Sequence, residues 1–181
     1  TDPTLPRGSD RVHAALAALD PQGRHDVVVN LQGDLPSIPP VYLRTVLTPL
    51  SDPGFDIATL VAPIDSDEEA NLPSVVKAAC AFDRGRAVSP ALYFSRVPIP
   101  WGDGPRWHHI GIYAFRRTAL AHFVALPEAP LERRESLEQL RALEAGMRIA
   151  CARVEHAPYG VDTPDDLERA RRDLAPQGRR K

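Results

Sequence analysis

Short apolar runs that stop at glycine, proline or an acidic residue recur along this chain. Residues 27–36 begin with three valines and then pass through Gly33, Asp34 and Pro36. A run without alternation is typical of a strand that is covered on both faces. Because ligands of open α/β sheets bind beyond the carboxyl ends of the strands, Asp34 is a candidate metal-site or phosphate-site residue. It could instead simply cap the following turn or helix.

Helix and strand patterns alternate around this run. Residues 40–50 have the apolar spacing of a helix and end at a Ser-Asp-Pro-Gly turn, and residues 56–63 form a short apolar strand. A strand, a helix and a strand in this order predict a parallel βαβ unit with a right-handed crossover. An earlier helix is predicted at 10–19, with an apolar face formed by Val12, Ala15, Leu16 and Leu19.

The second half of the chain continues the mixed order. The pattern predicts a hairpin of residues 75–82 and 87–96, a strand at 108–115, a helix at 131–145, a strand at 147–154 and a helix capped by Thr163. The period of two in the 108–115 strand places His109 and Tyr113 on one face. Together these elements predict an α/β fold with a mostly parallel central sheet, helices on both faces and an inserted hairpin. We expect one domain at 1–175, followed by a frayed basic tail at 176–181.

Composition narrows the function classes. The chain has 181 residues, a formal net charge of -2 and 25% charged residues. No overall basic field exists, so nucleic acid is not an expected partner. No apolar run approaches the roughly 20 residues that span a bilayer, and the polar start is unlike a signal peptide, so we expect no membrane insertion and a cytoplasmic location. Cys80 and Cys151 lack metal or redox spacing and are expected to be small buried hydrophobes.

A set of ordered motifs resembles the 3-deoxy-manno-octulosonate cytidylyltransferases, also called CMP-Kdo synthetases. The motifs are VVVNLQGDLP at 27–36, ALYFSRVPIPW at 91–101, HHIGIYAF at 108–115, PLERRESLEQLRALEAG at 130–146 and GVDTPDDLERAR at 160–171. The resemblance implies a Rossmann-like nucleotidyltransferase that transfers CMP from CTP to the acidic sugar Kdo and releases pyrophosphate, for lipopolysaccharide biosynthesis. It also implies Mg²⁺ as cofactor and a homodimer, with the hairpin near 75–96 as a plausible contact region.

The resemblance also implies a role for individual residues. The catalytic and metal-binding carboxylates would be Asp34 and Asp162. The nucleotide-binding residues would be Gly8, Ser9, Arg11 and Gln32, and the sugar-binding residues would be Arg96, His109, Tyr113, Glu138 and Gln139. Without the resemblance, Arg11 and Glu138 would be interpreted as solvated helix residues and His109 as a structural strand residue.

One departure from the family pattern concerns the phosphate-binding loop. Family members have a first strand and a basic, glycine-containing loop well before the position of Arg11, and no such segment is found in this sequence. The sequence therefore resembles an N-terminally truncated member, and we expect this chain alone to be weakly active or inactive. Two alternatives stay open, namely a related sugar-acid cytidylyltransferase of the sialic-acid type and a noncatalytic sugar- or nucleotide-binding remnant.

Overall fold

A mixed sheet with helices on both sides forms the part of the chain that the computed structural model describes, residues 4–5, 7–82, 85–161 and 163–175. Its strands are β1 (Val27–Asn30), β2 (Ile57–Pro63), β3 (Lys77–Cys80), β4 (Val88–Ser95), β5 (Trp107–Arg116) and β6 (Ile149–Arg153). Its α-helices are α1 (Gly8–Leu19), α2 (Pro40–Thr45), α3 (Asp67–Asn71), α4 (Arg117–Ala125), α5 (Pro130–Glu135), α6 (Leu140–Glu144) and α7 (Pro164–Leu174), and a 3-10 helix spans Thr48–Ser51. None of the helices in these ranges is both long and apolar enough to cross a membrane.

Strand β5 organises the sheet because it pairs with β1, β2 and β3. The hydrogen-bonded order is β1-β5-β2-β6-β4-β3, and the additional pairing of β3 with β5 places Lys77 opposite His108. This second pairing closes β5, β2, β6, β4 and β3 into a ring. Among the described residues, β2 and β6 form a parallel pair and the other pairings are antiparallel. The prediction of a mostly parallel, Rossmann-like sheet is therefore wrong.

The position of β5 explains this error. Strands β1 and β2 do run in the same direction, but β5 lies between them and is antiparallel to both. The predicted βαβ pair is therefore not a pair of neighbours. A run of valines suits a strand whichever way its neighbour runs, so the pattern could not show that β5 is inserted. Val29 is also 36% exposed, so β1 is not covered on both faces as predicted.

The two faces of β2 pack against different groups of helices. Ile57 and Val61 belong to a core cluster that includes side chains of α4 and α6. Ala58 and Leu60 point the other way, into a cluster that contains Val46 and side chains of α2 and the 3-10 helix. Successive residues of a strand face opposite sides of a sheet, so this division is the expected one. The prediction of helices on both faces is confirmed.

Several predicted elements are confirmed, with changes at their ends. The hairpin is present as the antiparallel pair β3 and β4, and the Thr163 hydroxyl accepts a hydrogen bond from the Asp166 N–H at the start of α7. The helix predicted at 40–50 ends at Thr45 and is replaced by the 3-10 turn around Pro49, which has no N–H to donate. Leu19, predicted on the apolar face of α1, is 82% exposed. Cys151 is buried, as expected, whereas Cys80 is only half-buried.

The helix predicted at 131–145 is broken. Helix α5 ends at Glu135, Ser136 has a left-handed conformation (φ 54°, ψ 47°), and α6 starts only after a further gap. Left-handed backbone is costly for a residue other than glycine, so tertiary contacts must hold it. The Glu135 carboxylate supplies them, because it accepts hydrogen bonds from the Ser95 hydroxyl (2.8 Å) and the Arg96 N–H (3.0 Å). Helix propensity over 131–145 is overridden by these contacts from β4.

A buried carboxylate joins the end of α1 to the start of α4. Asp20 is 3% exposed and accepts hydrogen bonds from the backbone N–H groups of Arg24 and His25, both at 2.9 Å. The Arg117 guanidinium donates to its carboxylate (2.6 Å) and to its backbone carbonyl (2.7 Å). The Arg24 N–H is the largest influence that lowers the pKa of Asp20, with His25 and Arg117 adding to it against the opposing effect of burial. The pKa of this group is therefore held well below its usual range.

We predict that Asp20→Asn lowers the melting temperature at pH 7. A carboxylate whose folded-state pKa is depressed stabilises the protein above its unfolded-state pKa, and this contribution is lost as the pH falls through the folded-state value. The difference in melting temperature between the wild type and the variant should therefore narrow below about pH 4. Thermal unfolding followed by circular dichroism from pH 7 to pH 3 measures it. Asp65→Asn, at an exposed position, is the matched control, and a gap that does not depend on pH would contradict the assignment.

Candidate active site

A cavity of about 360 Å³ opens between the first turn of α1, the end of β1, strand β5 and the segment that links α5 to α6. Its walls contain Gly8, Ser9, Arg11, Asn30, Leu31, Gln32, Gly33, Ile57, Tyr113, Phe115, Phe123, Glu138 and Gln139. The predicted nucleotide residues thus share one cavity with Tyr113, Glu138 and Gln139 of the predicted sugar set. Concave sites with a few converging polar groups on apolar walls are typical of ligand binding.

The break between α5 and α6 explains how Glu138 and Gln139 reach the cavity. The local pattern alone, a continuous helix, suggested that Glu138 is a solvated residue. The left-handed turn at Ser136 redirects the chain, so Gln139 is only 6% exposed and Glu138 is half-buried. The Leu137 N–H donates to the Glu132 carbonyl (3.2 Å), which keeps the redirected segment against α5.

Glu138 and Gln139 present one acceptor and one donor to the cavity. The Ser9 hydroxyl donates a hydrogen bond to Glu138 Oε1. Burial raises the pKa of Glu138, while Ser9 and the nearby Arg141 oppose the rise. The Gln139 Nε2 is buried, and no atom of the described residues accepts a hydrogen bond from it. A buried amide donor without a partner costs free energy, and a ligand acceptor in the cavity would satisfy it.

Tyr113 and His109 lie on the same face of β5, as predicted, but only Tyr113 lines the cavity. Burial raises the pKa of Tyr113 well above its usual value, so its phenol stays protonated. His109 is 8% exposed and lies behind Tyr113, between the Thr59 hydroxyl (3.0 Å from its Nε2) and the Phe94 ring (4.9 Å between centroids). Burial lowers the pKa of His109 to about 3, so the imidazole is neutral. This position favours the structural interpretation of His109.

Arg96 does not line the cavity. Its Nε donates to the Glu135 carbonyl (2.7 Å), and its two terminal nitrogens donate to the carbonyls of Pro73 (2.9 Å) and Ser136 (3.2 Å). The guanidinium thus joins the loop before β3 to the broken helix. It satisfies carbonyls that the left-handed turn leaves without helical partners.

The Asp34 side chain is exposed, and Asp34 follows the cavity-lining Gly33 in sequence but does not itself line the cavity. Its backbone carbonyl accepts a hydrogen bond from the Val161 N–H (2.9 Å), which joins the turn after β1 to the segment before α7. Asp162, the other predicted metal ligand, lies outside the described residues. The described residues contain no group of three or more His, Cys, Asp or Glu side chains that could hold a metal ion.

Sequence reasoning missed several of the cavity walls. Phe123 belongs to α4, which was not predicted, although Ala119, Leu120 and Phe123 have the spacing of one helical face. Asn30 is a polar residue at the end of the valine run and is buried beside the cavity. A polar side chain that interrupts an apolar strand was the available signal for it. Nothing in the local pattern pointed to Ile57 or Phe115, which are ordinary core residues of β2 and β5.

Comparison with known proteins agrees with the motifs. Residues 1–149 match the sequence model of a family described as cytidylyltransferase. The 3-deoxy-manno-octulosonate cytidylyltransferase of Rhodospirillum centenum is 60% identical over 177 residues, which are 98% of this chain and 69% of that protein. The protein of the same name from Parvibaculum lavamentivorans is 58% identical, with 97% of this chain and 67% of that protein covered.

A solved structure shares the fold. It is CMP:2-keto-3-deoxy-manno-octonic acid synthetase complexed with CTP, with a TM-score of 0.83 and 39% sequence identity, and the match covers 94% of this chain and 68% of that chain. Similarity of this extent, in sequence and in fold, shows that the chain belongs to the 3-deoxy-manno-octulosonate cytidylyltransferase family.

Proposed function

We propose that this chain transfers CMP from CTP to the anomeric hydroxyl of Kdo, with release of pyrophosphate. The observation that carries the proposal is the single cavity that combines Arg11 and Gln32 with Tyr113, Glu138 and Gln139. Transfer of a nucleotidyl group needs both substrates in one site, because holding two reactants in the correct geometry removes much of the barrier. The names of the similar proteins support the same reaction.

The nucleotide side of the cavity has suitable chemistry for CTP. Arg11 is exposed at the cavity, and its planar donor fork can bind a phosphate or a base edge. The Gln32 amide can both donate and accept, as a pyrimidine edge requires. It lies over Gly111 of β5, with its amide nitrogen 3.5 Å from the position that a Cβ at Gly111 would take.

The sugar side offers neutral donors and one acidic acceptor. Tyr113 keeps its proton and can donate, the unpaired Gln139 amide can donate, and the Glu138 carboxylate can accept. A polyhydroxylated acid such as Kdo presents many hydroxyl groups that both donate and accept. These residues therefore bind and orient the sugar in our proposal, and none of them is assigned as a general base.

Asp34 fits the proposed Mg²⁺ site, because Mg²⁺ takes one or two protein carboxylates and fills its other positions with water and phosphate. Its carboxylate is exposed, it follows the cavity-lining Gly33 in sequence, and its backbone carbonyl accepts a hydrogen bond from Val161, the residue that precedes Asp162. Asp34 and Asp162 would hold the ion. When bound, Mg²⁺ neutralises charge on the polyphosphate and on the attacking oxygen.

We further propose a role in lipopolysaccharide biosynthesis in the cytoplasm, as a homodimer. This role is the one that the family resemblance of the motifs implies. Exposed apolar side chains on and after β4 support the dimer, since Leu92 is 69% exposed, Val97 62% and Trp101 100%. They lie on or just beyond the hairpin that was expected to form the contact region. Apolar exposure of this kind often marks an interaction surface.

The central test compares substrates. The purified chain is incubated with CTP and Mg²⁺ and either Kdo or sialic acid, and CMP-sugar and pyrophosphate are measured. We expect product with Kdo only. Calorimetric titration of CTP and of Kdo accompanies the assay, so that binding is measured separately from turnover. Product with sialic acid instead would favour the related enzyme, binding without any turnover would favour the noncatalytic alternative, and no binding of either substrate would refute the proposal.

Asp34→Asn tests the metal site. The amide has the same size as the carboxylate but no charge, so we expect turnover to fall about 100-fold or more, the typical cost of losing one electrostatic contact in the transition state. The increase in CTP affinity on addition of Mg²⁺, measured by calorimetry, should also be lost. Asp65→Asn is the control variant. Wild-type Mg²⁺ dependence in Asp34→Asn would exclude this carboxylate as a ligand.

Arg96 provides a test between scaffold and sugar contact. Because its guanidinium already donates to three backbone carbonyls, we expect Arg96→Met to lower the free energy of unfolding by roughly 2 kcal/mol. Kdo affinity should fall with it, since the segment that carries Glu138 and Gln139 loses its support. Urea denaturation and calorimetry measure the two effects, with Arg133→Met on the exposed side of α5 as control. Lost Kdo affinity at unchanged stability would instead indicate a direct contact with the sugar.

A further inference from the structure

A buried ion pair lies directly behind the sugar side of the cavity. Arg141 of α6 is 1% exposed and Glu132 of α5 is 5% exposed. The guanidinium donates two hydrogen bonds to the carboxylate in a bidentate pair, from Nε to Oε2 (2.9 Å) and from a terminal nitrogen to Oε1. The pair bridges the break between the two helices. Glu132 in addition accepts a hydrogen bond from the Ala129 N–H (3.1 Å) at the start of α5.

Arg141 contacts two walls of the cavity from behind. Its guanidinium lies over the Phe123 ring, 5.1 Å from the centroid, and its terminal nitrogen is 3.9 Å from Glu138 Oε1. Both Phe123 and Glu138 line the cavity, whereas Arg141 does not. One buried cation therefore supports an aromatic wall and faces the one carboxylate that the sugar side offers.

The cost of burying this pair points to a role other than stability. The free energy needed to remove two charges from water is often larger than the free energy that their attraction returns. Apolar residues of similar size at such positions frequently give a protein of equal stability. Burial also raises the pKa of Glu138, which at this position disfavours the charged form. A nearby cation is what keeps such a carboxyl ionised.

We propose that Arg141 is a positioning residue, which Glu132 locks in place so that Glu138 stays ionised and oriented to accept hydrogen bonds from the hydroxyl groups of the sugar. The inference rests on the proposed function, because it assigns the ligand of Glu138 to the acidic sugar. Glu138 is the group that would touch the sugar, and Arg141 acts through it. The Glu132 carboxylate holds the guanidinium without contacting the cavity.

Other groups around Glu138 determine how its protonation follows pH. From α1, the Ser9 hydroxyl donates to it and the Asp10 carboxylate raises its pKa, while Arg7, just before that helix, lowers it. From α6, Arg141 lowers the pKa. From β5, the Tyr113 phenol keeps its proton well above the neutral range. Once the charge of Arg141 is removed, burial and the Asp10 carboxylate favour the protonated form of Glu138. Among the charged groups that act on Glu138, Arg7 then remains to favour the ionised form.

The test replaces the pair rather than one partner, since a single change would leave an uncompensated buried charge. In Glu132→Met with Arg141→Met, both positions keep a comparable side-chain volume and become apolar. Kdo affinity is measured by calorimetry from pH 5.5 to pH 9, beside CTP affinity. We expect Kdo binding to weaken relative to the wild type as the pH falls toward 5.5 and to match the wild type at pH 9, because a higher pKa leaves less of the Glu138 carboxyl ionised at low pH. CTP affinity should stay unchanged.

Matched variants separate the charge from packing. Asp67→Asn with Arg106→Gln removes another ion pair, 2.7 Å in length and remote from the cavity, and should leave the pH profile unchanged. Glu138→Gln cannot titrate, so adding it to the Met pair should abolish the pH dependence. If the Met pair does not fold, Glu132→Gln with Arg141→Gln makes the same test with a hydrogen bond retained.

The outcomes distinguish the two proposals. If the wild type binds Kdo and the paired variant shows the same pH profile, the role of Arg141 is refuted and the proposed function stands. A loss of affinity equal at every pH would also refute it, since that result indicates packing alone. If the wild type does not bind Kdo at any pH, the proposed function fails, and the assignment of Glu138 to the sugar fails with it.

Discussion

The irregularity in β5 is the constraint on which the rest of the structure depends. The register between β2 and β5 shifts after Thr59, which leaves Gly111 and Ile112 without partner residues on β2. The Thr59 side chain is fully buried, and its hydroxyl lies 2.8 Å from the Ile112 carbonyl and 3.1 Å from the Ile110 carbonyl. Bulges bend a strand and increase its local twist. A buried hydroxyl at this point replaces a ladder hydrogen bond that the bulge removes.

The bulge lets one edge of β5 serve two different strands. Because β2 pairs with the other edge of β5 on both sides of the bulge, β3 and β1 share this one, with Lys77 opposite His108 before the bulge and Asn30 opposite Tyr113 after it. The cavity opens where β1 continues into its Gln-Gly turn beside this point. The Gln32 side chain extends over Gly111, in van der Waals contact with the position that a Cβ would take there. The site is thus a consequence of how the sheet closes.

Burial could be predicted from the sequence better than pairing could. The apolar runs located the strands, because a buried strand needs apolar residues whichever strand lies beside it. Strand order depends on contacts between distant segments, so the position of β5 between β1 and β2 was not predicted. The broken helix has the same origin. Its good helix formers are overridden at Ser136 by hydrogen bonds between Glu135 and strand β4. The family motifs predicted part of the cavity lining, yet Arg96 and His109 are not among the residues that line it.

The distribution of charge within the site follows from this burial. The groups deepest in the cavity are neutral, since Tyr113 keeps its proton and Gln139 is an amide, and the imidazole behind them is uncharged. The exposed charges, Arg11 and Asp34, lie toward solvent, where water can screen what remains unpaired. Glu138 is the exception, a half-buried carboxylate with a raised pKa. A carboxylate in that position needs a cation in van der Waals reach, and the fold supplies one by breaking a helix and joining its halves through a buried arginine.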